Sequence, residues 1–186
     1  MSYVLFGGLG QQPSTYFGAG VMSFFVAALP EEGFKLLALW FVLRKNPFYD
    51  EHYDGIVYAV CIGLGFAATE NVAYVIGSQE GWLTTSILRA LLAVPGHYAF
   101  AVLMGYFYSV YHFMNRSPQT AACIFLVPWA AHGIYDTLAF SGPINEMLGT
   151  IFFIVLVFFC IIMHRYAQTR IVAQIKKDNN NGVKRV

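Results

Sequence analysis

Long apolar runs, parted by short polar or turn-forming segments, set the layout of this chain of 186 residues. Five such runs cover residues 16–43, 55–77, 88–112, 119–140 and 145–164. A bilayer core about 30 Å thick is crossed by about 20 residues of helix, so each run is long enough to span. The pattern therefore predicts an all-α fold, a polytopic transmembrane helical bundle of about five spans. At helical rise the first run would reach roughly 42 Å, longer than the core. Pro30 explains the excess, since proline breaks a helix interior but is welcome in a first turn. Either one helix kinks at Leu29–Pro30, or a short segment ends there and a second helix restarts. A restart would put the next residues at the positive end of a helix dipole. Asp54 reads as the N-cap of the second span, and Pro128 in the fourth is tolerated where neighbours re-satisfy the backbone.

These boundaries divide the chain into one integral-membrane domain, residues 1–170, and a polar, basic tail, residues 171–186. The tail ends in Asp178-Asn-Asn-Asn-Gly and reads as disordered. No internal repeat is visible, and the first 15 residues lack the positive n-region of a cleavable signal peptide.

Composition removes the soluble alternative. Hydrophobic residues make up 58% and charged residues only 11% of the chain, against about 25% charged in an ordinary soluble domain. The net charge of +1 offers nothing to nucleic acid. Cys61, Cys123 and Cys160 lie in apolar runs and read as small buried hydrophobes. Lys and Arg set orientation. With five spans, Arg44, Lys45, Arg116 and the six basic residues towards the C-terminus (Arg165, Arg170, Lys176, Lys177, Lys184 and Arg185) fall on one side, and Arg89 alone on the other. That asymmetry predicts an N-terminus outside and a C-terminus in the cytoplasm.

Few strongly polar side chains interrupt the runs: Glu31, Glu32 and Lys35, then Glu70 with Asn71, then His97, then His132 and Asp136. Charge inside a membrane span is costly and is a functional hypothesis by default. Counted from each span's cytoplasmic end, Glu32 lies roughly 18 Å deep, Glu70 roughly 24 Å, His97 roughly 22 Å and His132 roughly 21 Å. Scattered structural polar residues need no shared depth, whereas one site built from four helices does. The shared level lies nearer the outer face.

His132 and Asp136 are i, i+4 and share a helix face, so Asp136 can fix the ring's tautomer. Ionised together, Glu31, Glu32, Glu70 and Asp136 total −4, or −3 with Lys35, which low dielectric does not tolerate without protons or a cation. Glutamate and neutral histidine suit zinc, whose catalytic sites keep one position open for water, with a spare glutamate as general base. Carboxylates with split pKa values could activate water without a metal. The structural alternative for the glutamate pair is an ion-pair knot with Lys35, and successive helical residues point about 100° apart, so one of the two faces the site centre. Gly63 and Gly65 read as helix-packing residues.

At these positions the chain resembles the PrsW family of intramembrane proteases. The matching stretches are Pro30-Glu-Glu-Gly-Phe-Lys35, Asp54-Gly-Ile-Val-Tyr-Ala59, Gly65-Phe-Ala-Ala-Thr-Glu-Asn71, Pro95-Gly-His97 and His132-Gly-Ile-Tyr-Asp136, in family order. A wider kinship takes in the CAAX prenyl proteases and bacteriocin-processing membrane proteases. The resemblance implies proteolysis of a single-span, membrane-anchored substrate in a bacterial or archaeal cytoplasmic membrane, of the kind in site-1 cleavage of anti-sigma factors near the outer face. It also implies a further membrane helix ahead of the double glutamate, and Tyr3 to Gly10 is too short to be one.

The expected site is thus Glu31 or Glu32 as general base, Glu70, His97 and His132 as ligands of Zn2+, and Asp136 orienting His132. A CAAX-type endopeptidase, opening to the cytoplasm, is one alternative. A proton-coupled transporter is another, although transporters commonly carry inverted repeats.

Overall fold

A computed structural model describes residues 13–77 and 82–180; the Tyr3–Gly10 stretch and the last six tail residues lie outside them. The described residues are helical throughout, apart from short connections, and contain no strand. Helix α1 (Tyr16–Val21) runs through a π-helical stretch, Met22–Ala28, into α2 (Leu29–Leu43). Helix α3 spans Asp54–Gly77. Helix α4 (Trp82–Leu88) continues through a second π stretch, Arg89–Ala93, into α5 (Val94–Phe113). Helix α6 (Pro118–Ser141) ends in a 3-10 turn, Gly142–Ile144, and α7 (Glu146–Asn180) closes the chain.

Local chemistry starts these helices where it should. Thr15 Oγ1 accepts the Gly18 N–H at 3.1 Å, and Ser117 Oγ accepts that of Thr120 at 3.2 Å, each an N-cap. Both π stretches end two residues before a proline. The Leu29 N–H reaches Phe24 O, and the Val94 N–H reaches Arg89 O, each one residue further back than in an α-helix. A proline ring clashes with the carbonyl four residues earlier, and a widened turn ahead of Pro30 and Pro95 moves that carbonyl aside. The first helix therefore passes Pro30 without restarting. Its carboxylates sit within a continuous helix, not at a free N-terminus.

Among the described residues, four segments are long and apolar enough to cross a membrane: Asp54–Gly77, Trp82–Phe113, Pro118–Ile144 and Glu146–Asn180. The expected first span is not among them, because Glu31, Glu32 and Lys35 dilute its middle. Its outer surface is apolar all the same, with Phe34, Leu37 and Phe41 exposed, while Ala28, Glu32, Lys35, Leu39 and Leu43 form its buried face.

The tightest helix pair is α3 against α5. Gly55, Ala59, Gly63 and Ala67 recur every fourth residue along α3 and are all buried. Gly55 meets Gly105 and Ser109 of α5, and Gly63 meets Ala101. A Cβ on Gly63 would come within 2.6 Å of the Ala101 Cβ, and one on Gly105 within 2.6 Å of the Ile56 Cα. Small residues at this spacing let membrane helices approach closely. Gly65 plays no such part: it is exposed, and a Cβ there meets nothing within 4 Å.

Two further expectations change. Asp54 does not cap α3; its Oδ2 accepts the N–H groups of Asp50 and Glu51 at 3.2 and 2.8 Å, folding the preceding loop. The tail is not disordered where it is described. Helix α7 runs on to Asn180, and buried Asp178 accepts the His52 and Tyr53 N–H groups at 2.8 and 2.9 Å. Its Oδ1 also lies 2.7 Å from His52 Nδ1. That contact gathers the 44–53 loop and the end of α7 at one face of the bundle.

Gly105→Leu is expected to lower the thermal midpoint in detergent, since overpacking a close contact costs about 1–3 kcal/mol. Gly65→Leu is expected to leave it unchanged. A fluorescence melt of the two variants beside the wild type checks both.

Candidate active site

The α3–α5 stripe determines which polar side chains meet. His97 stands four residues before Ala101 on the α5 stripe, and Glu70 three residues beyond Ala67 on α3. The close approach brings His97 Nε2 to 2.8 Å from Glu70 Oε2. Arg89, in the second π stretch, places Nη2 3.0 Å from the same Glu70 oxygen. Its Nε donates to Asn71 Oδ1 at 2.6 Å, and its guanidinium lies 3.9 Å from the Tyr74 ring centroid.

Helices α2 and α6 supply the other half. Trp129 Nε1 donates to Phe24 O at 2.8 Å, and Gly133 leaves room for the Phe24 ring, whose atoms would lie 2.6 Å from a Cβ there. The first π stretch is thereby docked beside His132. His132 Nδ1 lies 2.8 Å from Glu32 Oε1, while Nε2 lies 3.3 Å from Asp136 Oδ2 and 3.8 Å from Glu31 Oε2. The ring stacks on Phe100, centroids 5.1 Å apart.

Lys35 joins the halves. Its Nζ donates to Glu32 Oε1 at 2.6 Å, lies 3.0 Å from His97 Nδ1 and 3.9 Å from Glu31 Oε2, and sits over the Phe66 ring. Every one of Glu31, Glu32, Lys35, Glu70, His97 and His132 is buried. The spacing argument for a common level thus corresponds to one contiguous cluster on four helical segments.

The two glutamates part company here. Glu32 is wholly buried and holds both Lys35 and His132 through Oε1. Glu31 lines a cavity of about 460 Å³, together with Glu70, Arg89, His97, His132 and Asp136. Its Oε2 is buried and accepts no hydrogen bond, as is also true of Glu32 Oε2, so access to the cavity is what distinguishes Glu31. Which glutamate answers Lys35 was open in the sequence; Glu32 does.

The donor set differs from the expected one. Glu31, His97 and His132 offer ligand atoms within 4.8 Å of one another, a grouping that fits a metal ion. Glu70 stands outside it, held between His97 and Arg89. Its position is that of a carboxylate orienting a ligating histidine, and Glu32 has the same relation to His132. Asp136, expected behind His132, instead approaches Nε2, the nitrogen that faces Glu31. Charge also fits. Four carboxylates against Lys35 and Arg89 leave a formal −2, which a divalent cation balances. Arg89 was missed as a site residue because its only visible role in the sequence was as the lone basic residue of the outer side, at the start of the third run; its spacing from Pro95 carries no signal of a partner on α3.

Residues 2–163 match the family described as PrsW family intramembrane metalloprotease. The chain belongs to the PrsW family. It is 39% identical over 119 residues to "Protease PrsW" of Clostridioides difficile, covering 62% of this chain and 50% of that protein. It is 38% identical over 117 residues to "Protease PrsW" of Oceanobacillus iheyensis, covering 62% and 53%. With "Protease PrsW" of Bacillus subtilis it shares 34% over 135 residues, covering 70% and 61%. The chain thus spans about half the length of the first two of these PrsW relatives. No solved structure matches it significantly.

Glu32→Gln is expected to destabilise the fold far more than Glu31→Gln. Removing Glu32's charge strips Lys35 of its 2.6 Å partner, and breaking a buried ion pair costs about 3–5 kcal/mol. Glu31→Gln keeps the Lys35–Glu32 contact, and its melting midpoint should stay close to wild type. Comparing the two melts tests this division of labour.

Proposed function

We propose that the chain hydrolyses a peptide bond of a single-span, membrane-anchored substrate near the extracytoplasmic face, in the manner of site-1 cleavage of anti-sigma factors. The observation that carries this reading is the cavity. It joins ionisable groups from four helical segments to the exterior, with a buried carboxylate oxygen, Glu31 Oε2, that no protein group satisfies. The cavity is also lined by Gly142 and Pro143, at the end of the bundle where α6 turns into α7. Arg44, Lys45, Arg116 and the basic residues of α7's final turns belong to the opposite end. An excess of Lys and Arg marks the cytoplasmic side, so the cavity faces outward, and the N-terminus lies outside.

Glu31, His97 and His132 would hold a zinc ion, with Glu70 and Glu32 fixing the two imidazoles from behind. When bound, the ion supplies Lewis-acid polarisation of the scissile carbonyl. Asp136 is the cavity carboxylate with neither a lysine nor an arginine as a close partner, and it takes the proton from the attacking water at Oδ2. It later returns that proton to the leaving amine, so that water adds across the C–N bond and an acid and an amine depart. Arg89 holds the Glu70 carboxylate against His97, and the apolar walls of the cavity exclude further water.

One observation favours a second reading. The Lys35 ammonium lies 3.0 Å from His97 Nδ1, the nitrogen not backed by Glu70. If Lys35 keeps that place during turnover, Glu31 itself is the water-activating carboxylate and no metal is used.

Purified protein is expected to carry about one zinc per chain and to cleave a tagged single-span substrate. His132→Ala should lose both metal and activity. Asp136→Asn should keep the metal and lose about 10²–10⁴-fold in kcat, the usual contribution of a general base. Elemental analysis and a gel-based cleavage assay read the two quantities. A metal-free, fully active wild type selects the second reading, and ion flux in proteoliposomes without any cleavage rejects proteolysis.

A further inference from the structure

The cavity does not end at the reactive groups. Along α6 its lining passes from His132 and Asp136 to Ala139, and it continues to Gly142 in the 3-10 turn that follows. Ala139 stands one turn beyond Asp136, roughly 5 Å along the axis. That is close to the rise of one or two residues in an extended peptide, about 3.3 Å each. Ala139 is therefore within reach of a side chain that adjoins a scissile bond held at Asp136 on that side. The part of the lining drawn from residues 138–156 carries no charged or hydrogen-bonding side chain. Leu138, Phe153 and Leu156 form its walls, and Leu88, at the end of α4, and Leu92, in the second π stretch, close it. Gly149 holds the corner shut, since a Cβ there would lie 2.8 Å from the Gly142 carbonyl oxygen.

From this juxtaposition we propose that the chamber beside Asp136 is a specificity subsite for a bulky apolar side chain adjoining the scissile bond, with Ala139 as its size-determining floor. The inference rests on the proteolytic reading above. A cavity of 460 Å³ lies within the range of ligand pockets, about 300–1,000 Å³, and admits a leucine or phenylalanine side chain beside the reacting peptide. A charged or amide side chain placed there would give up its water against walls from residues 138–156 that offer no polar side chain, a cost that selects against it. Glycine or alanine would leave the chamber unfilled and forfeit its apolar contact. The floor admits bulk only because position 139 is alanine; a phenylalanine there occupies the space itself.

The test uses the full chain in detergent with a set of tagged single-span substrates, identical except that each position flanking the scissile bond is changed in turn to Gly, Ala, Leu, Phe or Asp. Mass spectrometry locates the cut. With wild type, Leu and Phe at one flanking position should be cleaved at least about tenfold faster than Gly or Asp, the order expected for apolar pocket discrimination. Ala139→Phe should lower cleavage of the Leu and Phe substrates at least about tenfold while retaining that of the Ala substrate, and this retention shows that the variant is folded. Ala139→Val, a milder change, should lower Phe cleavage more than Leu cleavage. Equal rates for all five residues at both positions overturn the subsite, as does a wild-type profile in Ala139→Phe. A variant that cleaves nothing but melts as wild type also overturns it, because closing the subsite should spare the small substrate. Failure of the wild type to cleave any member overturns the proteolytic reading itself, and the subsite with it.

Discussion

A single buried ammonium is the point on which the site is assembled. Lys35 Nζ touches Glu32 at 2.6 Å and His97 at 3.0 Å, so it ties the first helix to α5 and, through Glu32, to His132 on α6. None of these groups could remain in an apolar bundle alone, because an isolated buried charge carries a desolvation penalty of several kcal/mol. Each is tolerable because the others are there. The polar cluster is thus a constraint on folding as well as a candidate catalytic apparatus: the helices must pack in the one arrangement that pairs these charges.

The apolar scaffold makes that arrangement attainable through small residues. Gly55, Ala59, Gly63 and Ala67 draw α3 onto α5, and the same line of contact continues into the Glu70–His97 pair. The two prolines act in parallel. Each follows a widened turn, and each stands just ahead of a site residue, Glu31 after Pro30 and His97 shortly after Pro95. Wide turns shift the phase of the residues that follow. Glu32 and Lys35 consequently share the buried face, and Glu31 is left at its edge, against the cavity.

Much of this was legible in residue order. Apolar run lengths announced membrane helices, and the intramembrane carboxylates and histidines announced a site, because their burial cost is high whatever the fold. Three things were not legible. The first run resembled a span by length, but the three charges in its middle leave four segments apolar enough for that description. The polar tail resembled disorder by composition, yet Asp178 anchors it to the backbone of His52 and Tyr53, a partner more than a hundred positions away in the chain. Arg89 was visible only as a charge at the outer end of the third run, and its pairing with Glu70 depends on how α4 folds back over α3.

The sequence by itself determined the solvent, the helical class and the chemical inventory, since these follow from local hydrophobicity and from the cost of burying particular side chains. It also determined that one member of the glutamate pair had to face away from the other, since adjacent helical residues point about 100° apart. Only the tertiary structure decided which. Glu32 lies on the face that α6 covers and is held by Lys35 and His132, while Glu31 reaches the cavity and groups with His97 and His132. The choice depends on helix rotation, and rotation is set by contacts among residues far apart in the chain, which no local pattern encodes.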